Sequence, residues 1–488
     1  MSKTKNMFCI NREAAMACLY FSLYFIIALS LLFRQPFGNP PDEFSRYLIP
    51  QYIAEHGTLP DGYDESIRIP SYGFSYAFQP ILPYMAQGYV MRLVQHFTQS
   101  PDVIFYSARL VNFLFGLVMA VFVLLLAQKW FRDMRPRYLF CFLTVFLPQS
   151  IFLHTYVNTD SCCMMSIAIM LYGLTRCLQD HFAWRSCVIM SVGIILCALS
   201  YYNAYGFILS CILLFCAHFI SLENGIIKLD WKPFLKKGAF ISALVLSGIS
   251  WWFIRSYILY DGDFLGLRTR DLCGVLYGSE AMRPERRITY QSLGYTIPSM
   301  LLHSDFCIVS INSFIGVYGP MIVTTALWIY RFYKLLFAVG LLGSMLPRPM
   351  PSRKREFSPV FTSIADRGIF FPERPVLSVF FHANMLLCIA IPCVLSLIYS
   401  YGTDYQPQGR YLMPILIPLS YYCVRGLHKI YACLSVLVKV HLNDKKPVND
   451  TGLNRLFTGF CAILISVIIL AVCITVFGYA FPYYAAIR

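Results

Sequence analysis

Two adjacent carboxylates, Asp42 and Glu43, follow two prolines in the stretch Pro40-Pro41-Asp42-Glu43. A carboxylate held beside a substrate hydroxyl can accept its proton as the oxygen attacks, which is general-base chemistry. Acids in a loop are more often solvated than catalytic, but here the prolines restrict the preceding backbone to an extended turn that aims them. A second polar group, Tyr156-Val157-Asn158-Thr159-Asp160, offers an amide and a carboxylate to a substrate hydroxyl, or to the base itself. Thr159 or Asp160 could equally cap a following helix. A third, Gln406-Pro407-Gln408-Gly409-Arg410-Tyr411, centres on an arginine. Its planar fork can grip a phosphate through two hydrogen bonds without losing charge. The competing role for Arg410 is an interfacial side chain reaching to lipid headgroups. Arg255, in Trp251-Trp252-Phe253-Ile254-Arg255, adds a guanidinium near the end of an apolar run, where a structural salt bridge is the alternative.

Apolar segments must position these groups. Ala14–Phe33 has no charged residue and is long enough to cross a bilayer as a helix. Further runs lie at Val103–Ala127, Tyr138–His154, Cys162–Leu178, Ser186–Ser200, Ala204–Ile220 and Gly238–Ile258. Four more follow at Gly319–Leu346, Val376–Tyr399, Tyr411–Val440 and Phe457–Tyr479. The expectation is an all-α, polytopic helix bundle with about eleven spans, in a range of roughly ten to thirteen. The chain reads as one transmembrane domain, 1–488, with a first outer loop at 34–102 and a second long outer loop at 259–318. No soluble domain is expected, and the chain ends at Arg488 just beyond the last run. No small-x-small cleavage site follows the first run, so it reads as a retained span rather than a signal peptide. Within the first loop, Phe44, Tyr47, Leu48 and Ile53 approximate helical spacing, with Pro50 predicting a kink. Ile81, Met85, Tyr89, Leu93 and Phe97 form a second stripe. Both read as helices along the outer interface or as loop helices packed on the bundle.

Lys3, Lys5 and Arg12 precede the first run, which places the N-terminus in the cytoplasm. Threading onward, the inner loops Lys129–Arg137, Glu223–Lys237, Arg348–Arg374 and Arg425–Arg455 carry four, four, six and six basic residues against one, two, three and two acids. The first outer loop carries three basic residues and six acids between Arg34 and Gln79. The long loops follow the positive-inside rule, so the three polar groups fall on the outer face and the C-terminus is expected outside. The same ledger explains a net charge of +15 without nucleic acid: the basic residues line the inner leaflet. Only 13% of residues are charged and 58% are hydrophobic, which excludes an ordinary soluble domain. Most of the eighteen cysteines lie in apolar runs, among them Cys162, Cys163, Cys187, Cys197 and Cys211, and no CxxC or zinc spacing occurs. They read as packing residues, although Cys273 and Cys307 could pair in an outer loop.

The stretches PPDEFSRYLIPQYIAEHGTLP, LPQSIFLHTYVNTD, WWFIRSYILYDGDFLG, INSFIGVYG and QGRYLMPIL, in this order from Pro40 to Leu416, carry a resemblance. The layout resembles the GT-C superfamily of integral membrane glycosyltransferases, and more narrowly a bacterial GT-C-like membrane family of formerly unknown function. The resemblance implies a polyprenyl-phosphate sugar as donor and a glycan, lipid or polymer hydroxyl as acceptor. It makes Asp42 the general base, with Glu43 binding the acceptor or tuning Asp42. It assigns the donor phosphate to Arg410, with Arg255 and Gln408, and the substrate cavity to Asn158, Asp160, Gln79 and Tyr411. Relatives carry a double proline after a first-loop glutamine, where this chain has Gln79-Pro80-Ile81. Some members need a divalent metal, and Asp42 with Asp160 could hold Mg or Mn. No dense acidic cluster favours that, and no metal ligands are assigned. Direct displacement would invert the sugar; double displacement would need a nucleophilic carboxylate. The competing functions are a flippase or transporter of lipid-linked sugars, which would favour inverted repeats that the sequence lacks, and a polysaccharide polymerase or ligase.

Overall fold

The computed structural model describes residues 2–223, 226–346, 375–442 and 450–487. Away from water a backbone must satisfy its own hydrogen bonds, and the apolar runs do so as helices. The first is α1 (Ser2–Arg34), which ends just before Pro36. The first loop contributes α2 (Glu43–His56) and α3 (Leu82–Gln95). Then come α4 (Pro101–Trp130), α5 (Met134–Val145), α6 (Pro148–Leu153), α7 (Asp160–Gln179), α8 (Trp184–Ala198) and α9 (Tyr205–Phe219). A short hairpin, Ile220–Glu223 with Ile226–Leu229, precedes α10 (Trp231–Leu259). The second loop carries α11 (Leu267–Tyr277), α12 (Ile297–His303) and α13 (Phe306–Gly316). Last are α14 (Leu327–Met345), α15 (Pro375–Gly402), α16 (Leu416–Leu442), α17 (Asp450–Cys473) and α18 (Phe481–Ala486).

Among the described residues, eight helical stretches are long and apolar enough to cross a membrane, and the chain is a multi-pass membrane protein. Each of the eleven expected runs carries helix, but three fall outside those eight. Tyr138–His154 is divided between α5 and α6 because Pro148 pushes Leu147 out of helical conformation, to φ −58° and ψ 128°. Ser186–Ser200 coincides with α8, which is apolar but short. Tyr411–Val440 begins in a short 3-10 helix, Gly409–Ile415, and continues as α16, which carries Arg425, Lys429 and Lys439. The expected inner loop Arg348–Arg374 lies outside the described residues.

The core is centred on α7, buried along nearly its whole length and packed between α4 and α8. At the other extreme α10 buries only Trp252 and Ser256, leaving an apolar surface suited to lipid. Where α14 crosses α16, a Cβ on Gly426 would lie 1.7 Å from the Gly340 carbonyl oxygen, so only glycine permits this approach.

The two loop helices pack on each other: a Cβ on Gly88 of α3 would come within 2.7 Å of Ile53 of α2. The buried face of α2 is Glu43, Arg46, Ile49, Pro50 and Ile53, which leaves Phe44 outside. Of the expected second stripe, Tyr89 and Leu93 of α3 and Phe97 just beyond it are exposed and point away from the bundle, whereas Ile81 is fully buried and Met85 half-buried. The two long loops are also joined. Gly73 lies against the Tyr277–Gly278 backbone, and the Ser279 amide donates to the Ser71 carbonyl at 3.0 Å. Cys273 and Cys307 are free thiols.

Candidate functional site

The turn Pro40–Glu43 closes on itself, with the Glu43 amide donating to the Pro40 carbonyl at 3.2 Å, and α2 starts from it. Asp42 occupies the N-cap in the left-handed region, φ 60° and ψ 5°, and its side chain caps nothing. Asp tolerates this conformation better than most residues, yet it remains strained, and such strain concentrates at functional sites. The uncommitted carboxylate points instead into a cavity of about 330 Å³. There Asp42 Oδ2 meets Arg410 Nη2 at 2.5 Å and Arg46 Nη2 at 3.6 Å. Burial raises the Asp42 carboxyl, but the two guanidiniums outweigh it and hold the group below the ordinary carboxylate range.

Arg410 is brought to this point by Gly409. A Cβ there would lie 2.0 Å from the Phe314 amide nitrogen of α13, and the Gly409 amide donates to Ser313 Oγ at 2.7 Å. The INSFIGVYG stretch is therefore the seat on which QGRYLMPIL rests. Arg410 is 3% exposed, and its Nε and Nη1 are buried without partners. Its Nη2 also donates to the Tyr411 hydroxyl at 3.0 Å. Tyr411 donates to Gln406 Oε1, and Gln406 Nε2 donates to Asp404 Oδ2 at 2.6 Å. One polar chain thus links the carboxylates of Asp42 and Asp404, both on the cavity wall.

The two carboxylates have opposite surroundings. Burial pushes the Asp404 carboxyl up, and the Arg287 charge and Gln406 amide offset this only in part. A carboxyl raised in the folded protein costs stability once pH climbs past its ordinary value, because ionisation is easier unfolded. Asp404→Asn is therefore expected to raise the melting temperature at pH 7, with the gain shrinking as pH falls toward 4. Scanning fluorimetry in detergent would show it; a lower melting temperature at pH 7 would contradict this account.

The remaining walls come from five places, one of them Thr159 just before α7. The first loop supplies Tyr72, Phe74, Tyr76, Gln79, Pro80 and Tyr84, and the turn between α8 and α9 supplies Tyr201, Tyr202 and Asn203. The second loop supplies Leu267, Arg270 and Arg287, and the end of α15 supplies Leu395, Ser396 and Tyr399. Burial pushes the Tyr84 hydroxyl up to about 12, so it stays a neutral hydrogen-bonding group at physiological pH. Aromatic walls with a few polar groups are the ordinary make-up of a small-molecule site.

Of the residues expected from sequence, Asp42, Arg410, Tyr411 and Gln79 line the cavity together. Asp160 lies directly behind, bound to Arg46 Nη1 at 3.3 Å. The others are elsewhere. Glu43 is wholly buried and grips Arg109, with Nε to Oε1 at 2.8 Å and Nη2 to Oε2 at 2.6 Å. It also accepts from the Gly38 and Val157 amides. Asn158 bonds the Leu153 and Tyr156 carbonyls, and its Oδ1 accepts from the Ser161 amide. Asn158, rather than Thr159, thus caps α7. Arg255 donates to the Pro60 carbonyl at 2.8 Å, pinning the first loop to α10. Gln408 is not on the cavity wall, and its Oε1 is buried without a partner.

Sequence reasoning missed Arg46, although it stands four residues after Asp42 in a helical stretch, where the two side chains share a face. It also missed Arg109, a charge inside the second apolar run that calls for a buried acid. Tyr72, Asp404 and Arg287 gave no comparable signal. Asp42 and Asp160 both spend their charge on arginines, and no cluster of three or more His, Cys, Asp or Glu occurs among the described residues.

No family model and no curated protein matches the sequence. Among solved structures, the chain is similar to the archaeal oligosaccharyltransferase AglB from Archaeoglobus fulgidus, determined in complex with an inhibitory peptide and a dolichol-phosphate. Identity is 14% and the TM-score 0.47, over 94% of this chain and 55% of that one. It is also similar to ArnT from Cupriavidus metallidurans bound to undecaprenyl phosphate, at 12% identity and a TM-score of 0.47, over 96% of this chain and 75% of that one. The chain thus spans about half the length of the oligosaccharyltransferase.

Proposed function

We propose that this protein is a membrane glycosyltransferase that moves a sugar from a polyprenyl-phosphate donor to a hydroxyl of a cell-surface glycan, lipid or polymer. By the charge ledger of the loops, the reaction takes place on the outer face of the membrane. The observation that carries the reading is the meeting of Asp42 and Arg410. They come from opposite ends of the chain and lie 2.5 Å apart on one cavity wall, with two further Arg410 donors unpaired.

The parts suit a direct displacement. Asp42 takes the proton from the acceptor hydroxyl, the freed oxygen attacks the anomeric carbon, and the bond from that carbon to the phosphate oxygen breaks. Its electron pair leaves with the phosphate, whose growing charge Arg410 receives. One displacement inverts the anomeric centre. The pairing with Arg410 makes Asp42 a weak base until the donor arrives. Both bidentate edges of a guanidinium include Nη2, the atom now shared by Asp42 and Tyr411. A phosphate gripped by two nitrogens must compete for that atom, and its charge beside Asp42 raises the carboxylate's basicity. The base is thereby strengthened when there is something for it to do.

The test is to supply purified protein in bilayers with decaprenyl-phosphate sugars and candidate acceptors, and to follow sugar transfer or release. Turnover of donor is the expected result. Lipid flipping across vesicles with no turnover of any donor would establish a transporter instead.

A further inference from the structure

Four arginines line the cavity, and three have a carboxylate partner. Arg410 pairs with Asp42, Arg46 with Asp42 and Asp160, and Arg270 with Asp271. Arg287 has no ion pair among the described residues. It is 7% exposed, its Nε donates to the Met282 carbonyl at 2.8 Å, and its Nη2 is buried with no partner. The carboxylate of Asp404, on the same cavity wall, feels the Arg287 charge but forms no ion pair with it and accepts from the Gln406 amide. A buried guanidinium donor left unmet is costly, and a bound oxyanion relieves that cost.

The position is built to hold its geometry. The Arg287 guanidinium lies 5.4 Å from the centre of the Tyr72 ring and 6.0 Å from that of Phe74, so two first-loop aromatics fix its place. The Arg287 amide donates to the Arg283 carbonyl at 3.1 Å, and the Ser279–Ser71 bond ties this segment to the loop that carries Asp42. The charge is therefore set at a constant place relative to Asp42 and Arg410.

We propose that Arg287 forms a second oxyanion subsite of this cavity, distinct from Arg410, and that it receives a second phosphate or a carboxylate carried by a substrate. The identity of the lipid probes below rests on the glycosyltransferase reading; the subsite itself does not. Two sources would present the same chemistry: a diphosphate linkage in the donor, or an acidic group on the acceptor.

Full-length protein in nanodiscs is titrated with decaprenyl phosphate and decaprenyl diphosphate, with binding read from the ligand-dependent thermal shift. Glucose 6-phosphate and glucuronate are then titrated both alone and in the presence of saturating decaprenyl phosphate. A diphosphate preference of about tenfold or more, lost in Arg287→Gln while monophosphate affinity holds within about twofold, places the subsite on the donor. Equal binding of the two lipids, with Arg287→Gln weakening a soluble anion about tenfold, places it on the acceptor. Arg287→Gln keeps a donor for Met282, and Arg287→Lys should restore part of the loss, which a merely structural role would not. If Arg287→Gln changes neither the lipid ratio nor soluble-anion affinity, the proposal is wrong. Failure of the glycosyltransferase reading looks different: neither lipid binds the wild type and Arg410→Ala has no effect, while Arg287 is still judged on the soluble anions.

Discussion

Asp42→Asn is expected to lower sugar transfer by about 10²- to 10⁴-fold, the usual contribution of a positioned general base, while leaving the protein folded. The substitution isolates the charge. Asn tolerates the left-handed backbone at this position at least as well as Asp, and its Oδ1 can still accept from Arg410. The Asp42 side chain is 33% exposed, so its ion pairs are screened, and Arg46 keeps Asp160 as a partner. The stability change should therefore stay within about 1 kcal/mol. Since the folded-state carboxyl is held below its ordinary value, the stabilisation from its pairing is present above pH about 4 and is lost as pH falls through the depressed value. The variant should lose that acid sensitivity. Equal turnover by wild type and Asp42→Asn would remove Asp42 from the chemistry.

The neighbouring residue should behave in the opposite way. Glu43→Gln is expected to destabilise the protein by about 3–5 kcal/mol, with little effect on activity per folded molecule. Glu43 and Arg109 are both fully buried, and the pair joins the first loop to α4 while Glu43 also receives the Val157 amide. Arg109 further donates to the Leu32, Gln35 and Pro36 carbonyls, closing the end of α1. Removing the acid leaves a buried guanidinium uncompensated. The double change Glu43→Gln with Arg109→Met should recover part of the loss, since no charge is then stranded. Recovery stops short because the Leu32, Gln35 and Pro36 carbonyls lose their donor. Melting temperature and the monodisperse fraction in detergent measure both effects. A single variant as stable as wild type would show that the pair does not hold this turn.

The membrane character was legible because hydropathy is additive along a chain: a run such as Ala14–Phe33 declares its environment without reference to any other segment. A local rule also acted within an apolar run, where Pro148 divided Tyr138–His154 into α5 and α6. The stripe Ile81, Met85, Tyr89, Leu93 and Phe97 was legible as apolar for the same additive reason, but only the structure shows that Tyr89, Leu93 and Phe97 are exposed while Ile81 is buried. On α2 the exposed Phe44 was readable as apolar, but the buried Glu43 and Arg46 were not readable as core.

By itself, then, the sequence determined a helical membrane protein, the acid pair after its first span and an arginine late in the chain that could face the same side. Only the tertiary structure decided that Asp42 meets Arg410 across 368 positions, that Glu43 turns inward to Arg109, and that Arg287 and Asp404 share the cavity. The physical reason is that neighbouring side chains on a turn and helix start point in different directions. Which of two adjacent carboxylates reaches the cavity depends on one left-handed residue and on partners far away in the chain. Periodicity reports the face of a helix; it does not report what waits opposite that face.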